Sequence, residues 1–196
     1  MQKKVKLGKG AFIYPMPVSL VGTKFEGVSN FMTVSWISRV NASPAMIGIS
    51  SHKSHKSNAA IFENKAFSVN FPEKSMAKEA DYCGLASSAN ADKSEIFDVF
   101  YGASPFCPLI VGCPLCMECE LVQTVELPSN YLFIASIKAS YSEERFLGED
   151  GTPDMAKMKP FVLSMPDNRY WSLGRPIAKA WEIGLKSKKA PKAKKA

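Results

Sequence analysis

Residues 49–61 read ISSHKSHKSNAAI and carry both histidines of the chain, His52 and His55. Around them stand four hydroxyls (Ser50, Ser51, Ser54, Ser57) and two ammonium groups (Lys53, Lys56). The stretch follows an apolar run, Met46 to Ser50, and precedes an Ala/Ile segment, so it ends a strand and starts a helix. Hydroxyls, cations and the unpaired N–H groups of a helix start together suit a phosphate. The same residues equally suit a solvated loop that caps a helix. A metal held by His52 and His55 would need further ligands, and the chain has no third histidine.

Two other stretches could face a ligand. In Gly27–Trp36, GVSNFMTVSW, strand alternation puts Asn30, Met32 and Val34 on one face and Phe31, Thr33 and Ser35 on the other. That is the pattern of a half-buried sheet; it is also a surface of backbone and hydroxyl groups able to line a flat heteroaromatic molecule. Tyr82–Lys93, YCGLASSANADK, is rich in small residues, which let backbone approach a ligand closely, although any tight loop reads the same way.

Cys107, Cys113, Cys116 and Cys119 crowd into thirteen residues. A metal–thiolate site is disfavoured by geometry. On a strand over 115–126, Cys116 and Cys119 are three apart and point to opposite faces. Five cysteines and no apolar signal core after the basic start fit free thiols in a reducing cytoplasm. No GxSxG elbow, P-loop or GxGxxG turn follows a strand, and two histidines in one polar loop make a Ser–His–acid triad improbable. If the chain is an enzyme, a cofactor supplies the chemistry.

The elements that must position these residues are short, β-branched or aromatic, and separated by turn residues. Strands are expected over 18–23, 30–38, 46–50, 67–71, 115–126, 132–141, 161–164 and 170–173. Helices are expected over 57–63 (with Ser57 as N-cap), 75–82, 92–100 and 176–183, the last stopped by Gly184. Residues 83–90 read as a small-residue loop. Such a pattern is mainly β and suggests a closed or partly closed antiparallel barrel with a few peripheral helices.

The 196 residues suffice for one core, expected to span 1–185. The formal charge of +7 is mostly terminal: six lysines lie in the last eleven residues, and without them 19 basic residues face 18 acidic ones. A specific nucleic-acid surface is therefore not expected. Residues 186–196, KSKKAPKAKKA, read as a disordered Lys/Ala-rich tail. No apolar run approaches the length of a membrane span.

Read in order, PMPVSLVGT (15–23), GVSNFMTVSW (27–36), the polar loop and helix of 50–63, FSVNFP (67–72), DYCGLAS (81–87) with Asp92-Lys93, PLIVGCPLCMEC (108–119) and YWSLGRPIAKAWEIG (170–184) resemble the flavin reductase-like family, and within it the flavoredoxin branch. The resemblance covers about residues 10 to 185. It implies an FMN-binding split barrel, a homodimer with the flavin near the subunit interface, and bound FMN reduced by NAD(P)H or by a redox protein. It places Asn30, Met32, Thr33, Val34 and Ser35 along the ring and ribityl chain. Ser50, Ser51, His52, Lys53, Ser54, His55 and Ser57 fall at the phosphate. Cys83, Gly84, Leu85, Ala86 and Ser87 approach the ring from another side, supported by Lys93. His52 and Ser57 stand where relatives often carry Arg and Thr. Ser129-Asn130-Tyr131 replaces a frequent GxH linked to nicotinamide handling, which favours an electron carrier over a direct NAD(P)H reductase. A binding protein without turnover, for flavin or a haem-related ligand, is the alternative on the same barrel.

Overall fold

The structure is a computed structural model and describes residues 3–85 and 95–186. In chain order the elements are β1 (Met16–Pro17), β2 (Ser19–Phe25), β3 (Val28–Val34), β4 (Ile37–Asn41), β5 (Met46–His52), α1 (Ser57–Asn64), β6 (Ala66–Phe71), α2 (Ala77–Leu85), β7 (Val99–Phe100), β8 (Leu109–Ile110), β9 (Leu115–Glu126), β10 (Asn130–Tyr141), α3 (Met155–Met158), β11 (Phe161–Ser164) and β12 (Arg169–Ser172). Seven strands form one sheet in the order β3-β2-β6-β9-β10-β5-β4. Every adjacent pair in it is antiparallel.

Local chemistry explains the hairpins. β2 and β3 are joined by Glu26 and Gly27, with φ of 49° and 84°. Two positive φ angles make the tight turn whose twist matches its flanking strands. β9 and β10 each run for twelve residues across the turn of Leu127-Pro128-Ser129. Register shifts at Ile134/Ala135 and Ile137/Ala139 bend this long ribbon.

The sheet is a barrel because of one short connection. β3 and β4 are its two outermost strands, yet only Ser35 and Trp36 separate them in sequence. Two residues span no more than about 11 Å between flanking Cα atoms, so the two edges of the sheet meet there. Trp36 accepts a hydrogen bond from Ser50 N–H at 2.8 Å, holding the corner against the end of β5. The interior is packed with Val21, Met32, Val34, Ile47, Ile49, Phe67, Val69 and Phe133, and α1 plugs it with Ile61. A second apolar cluster lies on the other face of the wall, where Leu20 and Phe31 meet Ala80 and Cys83 of α2 together with Leu109, Ile110, Cys113 and Cys116. β11 pairs with β1 and β12 in a small separate sheet.

Several expectations are corrected. The run 30–38 is two strands, because Trp36 turns its carbonyl to Ser50 and Asn41 pairs back to Met46. Cys83, Gly84 and Leu85 are not loop but the end of α2, since Cys83 is buried there beside Ala80. Residues 95–97 are turn and bend, and Val99–Phe100 form β7 rather than a helix end. No α-helix forms over 176–183: Ile177 is 99% exposed and Trp181 93% exposed, so no apolar surface stabilises it, and Gly184 sits inside a single 3₁₀ turn, Ile183–Lys186. Ser57 is the first helical residue; Lys56 precedes it with φ −62° and ψ −30°, and no side chain caps the helix. The remaining tail, residues 187–196, lies outside the described residues.

Candidate functional site

The corner where β5 runs into α1 is built from neutral polar side chains that hold one another. Asn58 is buried in the first turn of α1, and its Nδ2 donates to the His52 carbonyl at 2.8 Å. That orients Oδ1 toward Ser51, whose Oγ donates to it at 2.6 Å. Ser51 has one hydroxyl proton, so His55 Nδ1, 3.1 Å from the same oxygen, is the donor in that contact. Met32 Sδ lies 3.9 Å from Ser51 Oγ. His52 takes the opposite tautomer: its Nδ1 accepts from Ser54 N–H at 3.3 Å and faces Ser54 Oγ at 2.8 Å. Its proton therefore sits on Nε2.

Strand β3 joins this corner through Asn30. The buried Asn30 donates Nδ2 to Ser57 Oγ at 2.8 Å, while its Oδ1 is buried without a hydrogen-bond partner among the described residues. Successive 3₁₀-type bonds, His55 N–H to His52, Asn58 N–H to His55 and Ala59 N–H to Lys56, wind the chain into α1.

The rim of the corner is charged. Lys53 Nζ makes an ion pair with Glu126 Oε1 at 2.6 Å and lies 5.5 Å from the centre of the Tyr131 ring. Its backbone N–H donates to Ser129 at 3.0 Å, and Asn130 Nδ2 reaches Ser50 Oγ at 3.2 Å. The β9–β10 turn is thus a wall of the corner. His52, Ser54, His55 and Lys56 are exposed around it.

The sequence-selected residues that the structure describes fall in four places. Asn30, Met32, Ser50, Ser51, His52, Lys53, Ser54, His55 and Ser57 gather at the corner. Val34 points into the barrel core. Thr33 faces the other side of β3, where its Oγ1 bonds the Ala80 carbonyl of α2 and Gly84 lies against its side chain. Cys83 and Leu85 travel with that helix, Cys83 buried and Leu85 exposed. Ser35 borders a groove of about 600 Å³ whose walls include Phe12, Ile13, Trp36, Ile37, Val40 and Leu132. Ala86, Ser87 and Lys93 lie outside the described residues. Sequence reasoning missed Asn58 and Glu126. An Asn at the second residue of the expected helix was the available signal for the first; nothing local announced the second, which arrives from a strand end 73 residues away.

An antiparallel split barrel with a polar strand-to-helix corner and an apolar groove defines the class. The flavin reductase-like domain family matches residues 11–152, and the chain belongs to it. The structure is similar to flavoredoxin from Methanosarcina acetivorans, with a TM-score of 0.91 and 48% identity over 93% of this chain and 98% of that one. It is also similar to flavoredoxin of Desulfovibrio vulgaris (Miyazaki F), with a TM-score of 0.86 and 29% identity over 93% of this chain and 100% of the other. An FMN-binding protein from Thermus thermophilus, 22% identical over 91% of this chain and 98% of its own, shares the fold at a TM-score of 0.76. The mainly β split barrel expected from the sequence is what these structures share. An uncharacterized protein of Archaeoglobus fulgidus is 27% identical over 74% of this chain and 81% of its own length.

Proposed function

We propose that this protein binds FMN and passes electrons through it from NAD(P)H or a redox protein, in the manner of a flavoredoxin. The observation that carries the reading is the β5–α1 corner: serine hydroxyls, two histidines and Lys53 surround a helix start, which is the donor set a phosphate requires. The groove at Ser35 has the volume of a small-molecule site and a mostly apolar lining, as a flat ring system needs. The residues present therefore fit the cofactor. Bound FMN supplies two-electron redox chemistry. This chain's own residues bind and orient: Lys53 and His52 Nε2–H offer charge and a donor at the rim, while Asn58 and Ser51 fix the loop that carries them. The replacement of GxH by Ser129-Asn130-Tyr131, with Asn130 committed to Ser50, favours a protein electron donor over direct nicotinamide binding.

We also read the protein as a homodimer, because Trp36, Val40, Ile177 and Trp181 are exposed on one chain. Light scattering should give about twice 21.5 kDa. The test of function is anaerobic mixing of FMN-loaded protein with NADH, NADPH and a reduced redox protein. Bleaching by a nicotinamide within seconds identifies a reductase; bleaching only by the protein donor identifies a carrier. A colourless protein that leaves micromolar FMN fluorescence unquenched overturns the reading, and a bound flavin that nothing reduces leaves a binding protein.

A further inference from the structure

The function proposed above makes no use of the cysteines. All five are buried, and four of them form two pairs beside β9. Cys107 Sγ lies 4.0 Å from the Cys119 carbonyl, and Cys119 packs in the barrel core. Cys113 and Cys116 belong to the outer cluster instead. They form a Cys-Pro-Leu-Cys unit that starts at the turn of Gly112, φ 76°, and ends in the first residues of β9. Cys113 Sγ is 3.0 Å from the Phe71 carbonyl, and Cys116 Sγ is 3.5 Å from the Ile110 carbonyl and 3.8 Å from that of Cys113. Each thiol lies against backbone at or next to the other cysteine, Cys113 Sγ being 4.0 Å from the Leu115 carbonyl. Both border a cavity of about 420 Å³, shared with Phe100, Tyr141 and Glu143.

We propose that Cys113 and Cys116 form a reversible disulfide, made by exchange with a low-molecular-weight disulfide that enters this cavity. One protein thiolate attacks a sulfur of the small disulfide, whose S–S bond breaks and releases one small thiolate. The second cysteine then attacks the mixed disulfide, forming the protein S–S bond and releasing the other small thiolate. The protein pair is oxidised by two electrons and the small disulfide reduced to two thiols, which take up the two protons. Cys107 and Cys119 border a cavity as well, of about 490 Å³, so Cys113 and Cys116 stand apart by their short spacing, which keeps both side chains in one apolar cluster beside one cavity. Burial pushes the Cys113 thiol well up, and the Cys116 thiol beside it adds to the shift, so Cys113 is protonated near neutrality and exchange through it quickens as pH rises.

The test uses the full chain, reduced, incubated with glutathione disulfide, then denatured in N-ethylmaleimide and weighed intact. Wild type should retain three of its five thiols, with fragmentation placing the bridge between 113 and 116, and dithiothreitol should restore all five. Cys107→Ser should still lose two thiols. Cys113→Ser and Cys116→Ser should form no internal bridge, and a glutathione adduct on the surviving cysteine supports the exchange route. Five thiols retained in wild type, a bridge mapped to 107 and 119, or two thiols lost in Cys116→Ser overturns the proposal. The wild-type mapping needs no variant, so a misfolded serine variant leaves the test intact. The readout is a thiol count, independent of flavin, so its failure leaves the FMN reading standing.

Discussion

The protein buries two polar networks, and they are built differently. Beneath β6 and β9, Ser68, Asn70 and Glu118 are committed mainly to backbone. Ser68 Oγ bonds the Pro108 carbonyl; Asn70 donates to Leu20 at 3.2 Å and accepts from Ile110 N–H at 3.1 Å. Glu118 accepts from Ala103 N–H at 3.3 Å, Ser104 N–H at 2.9 Å and the Tyr141 hydroxyl at 3.1 Å. These residues staple the 102–110 segment to the barrel. At the β5–α1 corner the partners are mostly other side chains, the rim is cationic and exposed, and Asn30 Oδ1 keeps an unused acceptor. A network consumed by backbone holds a fold; one that holds itself together under a charged rim is arranged for something to bind.

That contrast can be broken by substitution. Glu118→Ala should have the largest effect. It takes the acceptor from two backbone N–H groups and the Tyr141 hydroxyl at the barrel wall and leaves a gap where the buried carboxylate sat, which costs about 2–3 kcal/mol, or roughly 4–12 °C in Tm for a chain of this size. The FMN affinity of the folded fraction should stay within about twofold. A large loss of affinity would show that the stapling network also belongs to the site.

At the corner the signs reverse. Lys53→Ala should weaken FMN about tenfold and leave riboflavin nearly unchanged, with little change in Tm. The effect sits at the low end for a charge-assisted contact because Lys53 must first leave Glu126. Equal weakening of both ligands in a fluorescence titration would assign the segment to the ring or to the fold. Ser57→Ala should cost about fivefold in FMN, and about 1 kcal/mol in stability because Asn30 Nδ2 loses its acceptor. Glu126→Gln should act in the opposite direction, tightening FMN about twofold by releasing Lys53 from an exposed pair.

The smallest expected effect is a titration. Tyr170 donates to Asp81 at 2.9 Å, and burial, aided by that carboxylate, pushes its phenol up to about 12. Because the folded pKa is raised, the tie between β12 and α2 is fully present below about pH 10. It is lost as pH climbs through about 12. Phenolate absorbance should therefore show a late component that Tyr170→Phe lacks.

How much of this was legible beforehand follows from where the information lies. The β9–β10 ribbon was readable because two long β-rich runs flank Pro128-Ser129. The β3–β4 break was not, because Trp36 turns on a hydrogen bond from Ser50, a partner in another strand. The segment 176–183 has helix-forming residues but no surface to pack on, and propensity alone does not hold eight residues. At the site, residue types identified the loop at 50–57, whereas Lys53's present partner came from the end of β9, two strands along the sheet, and could be found only in three dimensions.

The two-residue link at Ser35 and Trp36 also bears on how the chain assembles during synthesis. β3 and β4 leave the ribosome early and next to each other, yet they sit at opposite ends of a row whose middle is β9 and β10. The row is complete only after Tyr141 has emerged, so Val21, Met32, Val34, Ile47 and Ile49 wait for partners nearly a hundred residues downstream. Such long-range pairing is slow, and nascent chains released short of residue 141 should bind chaperones and aggregate, while those carrying the whole ribbon should become protease-resistant.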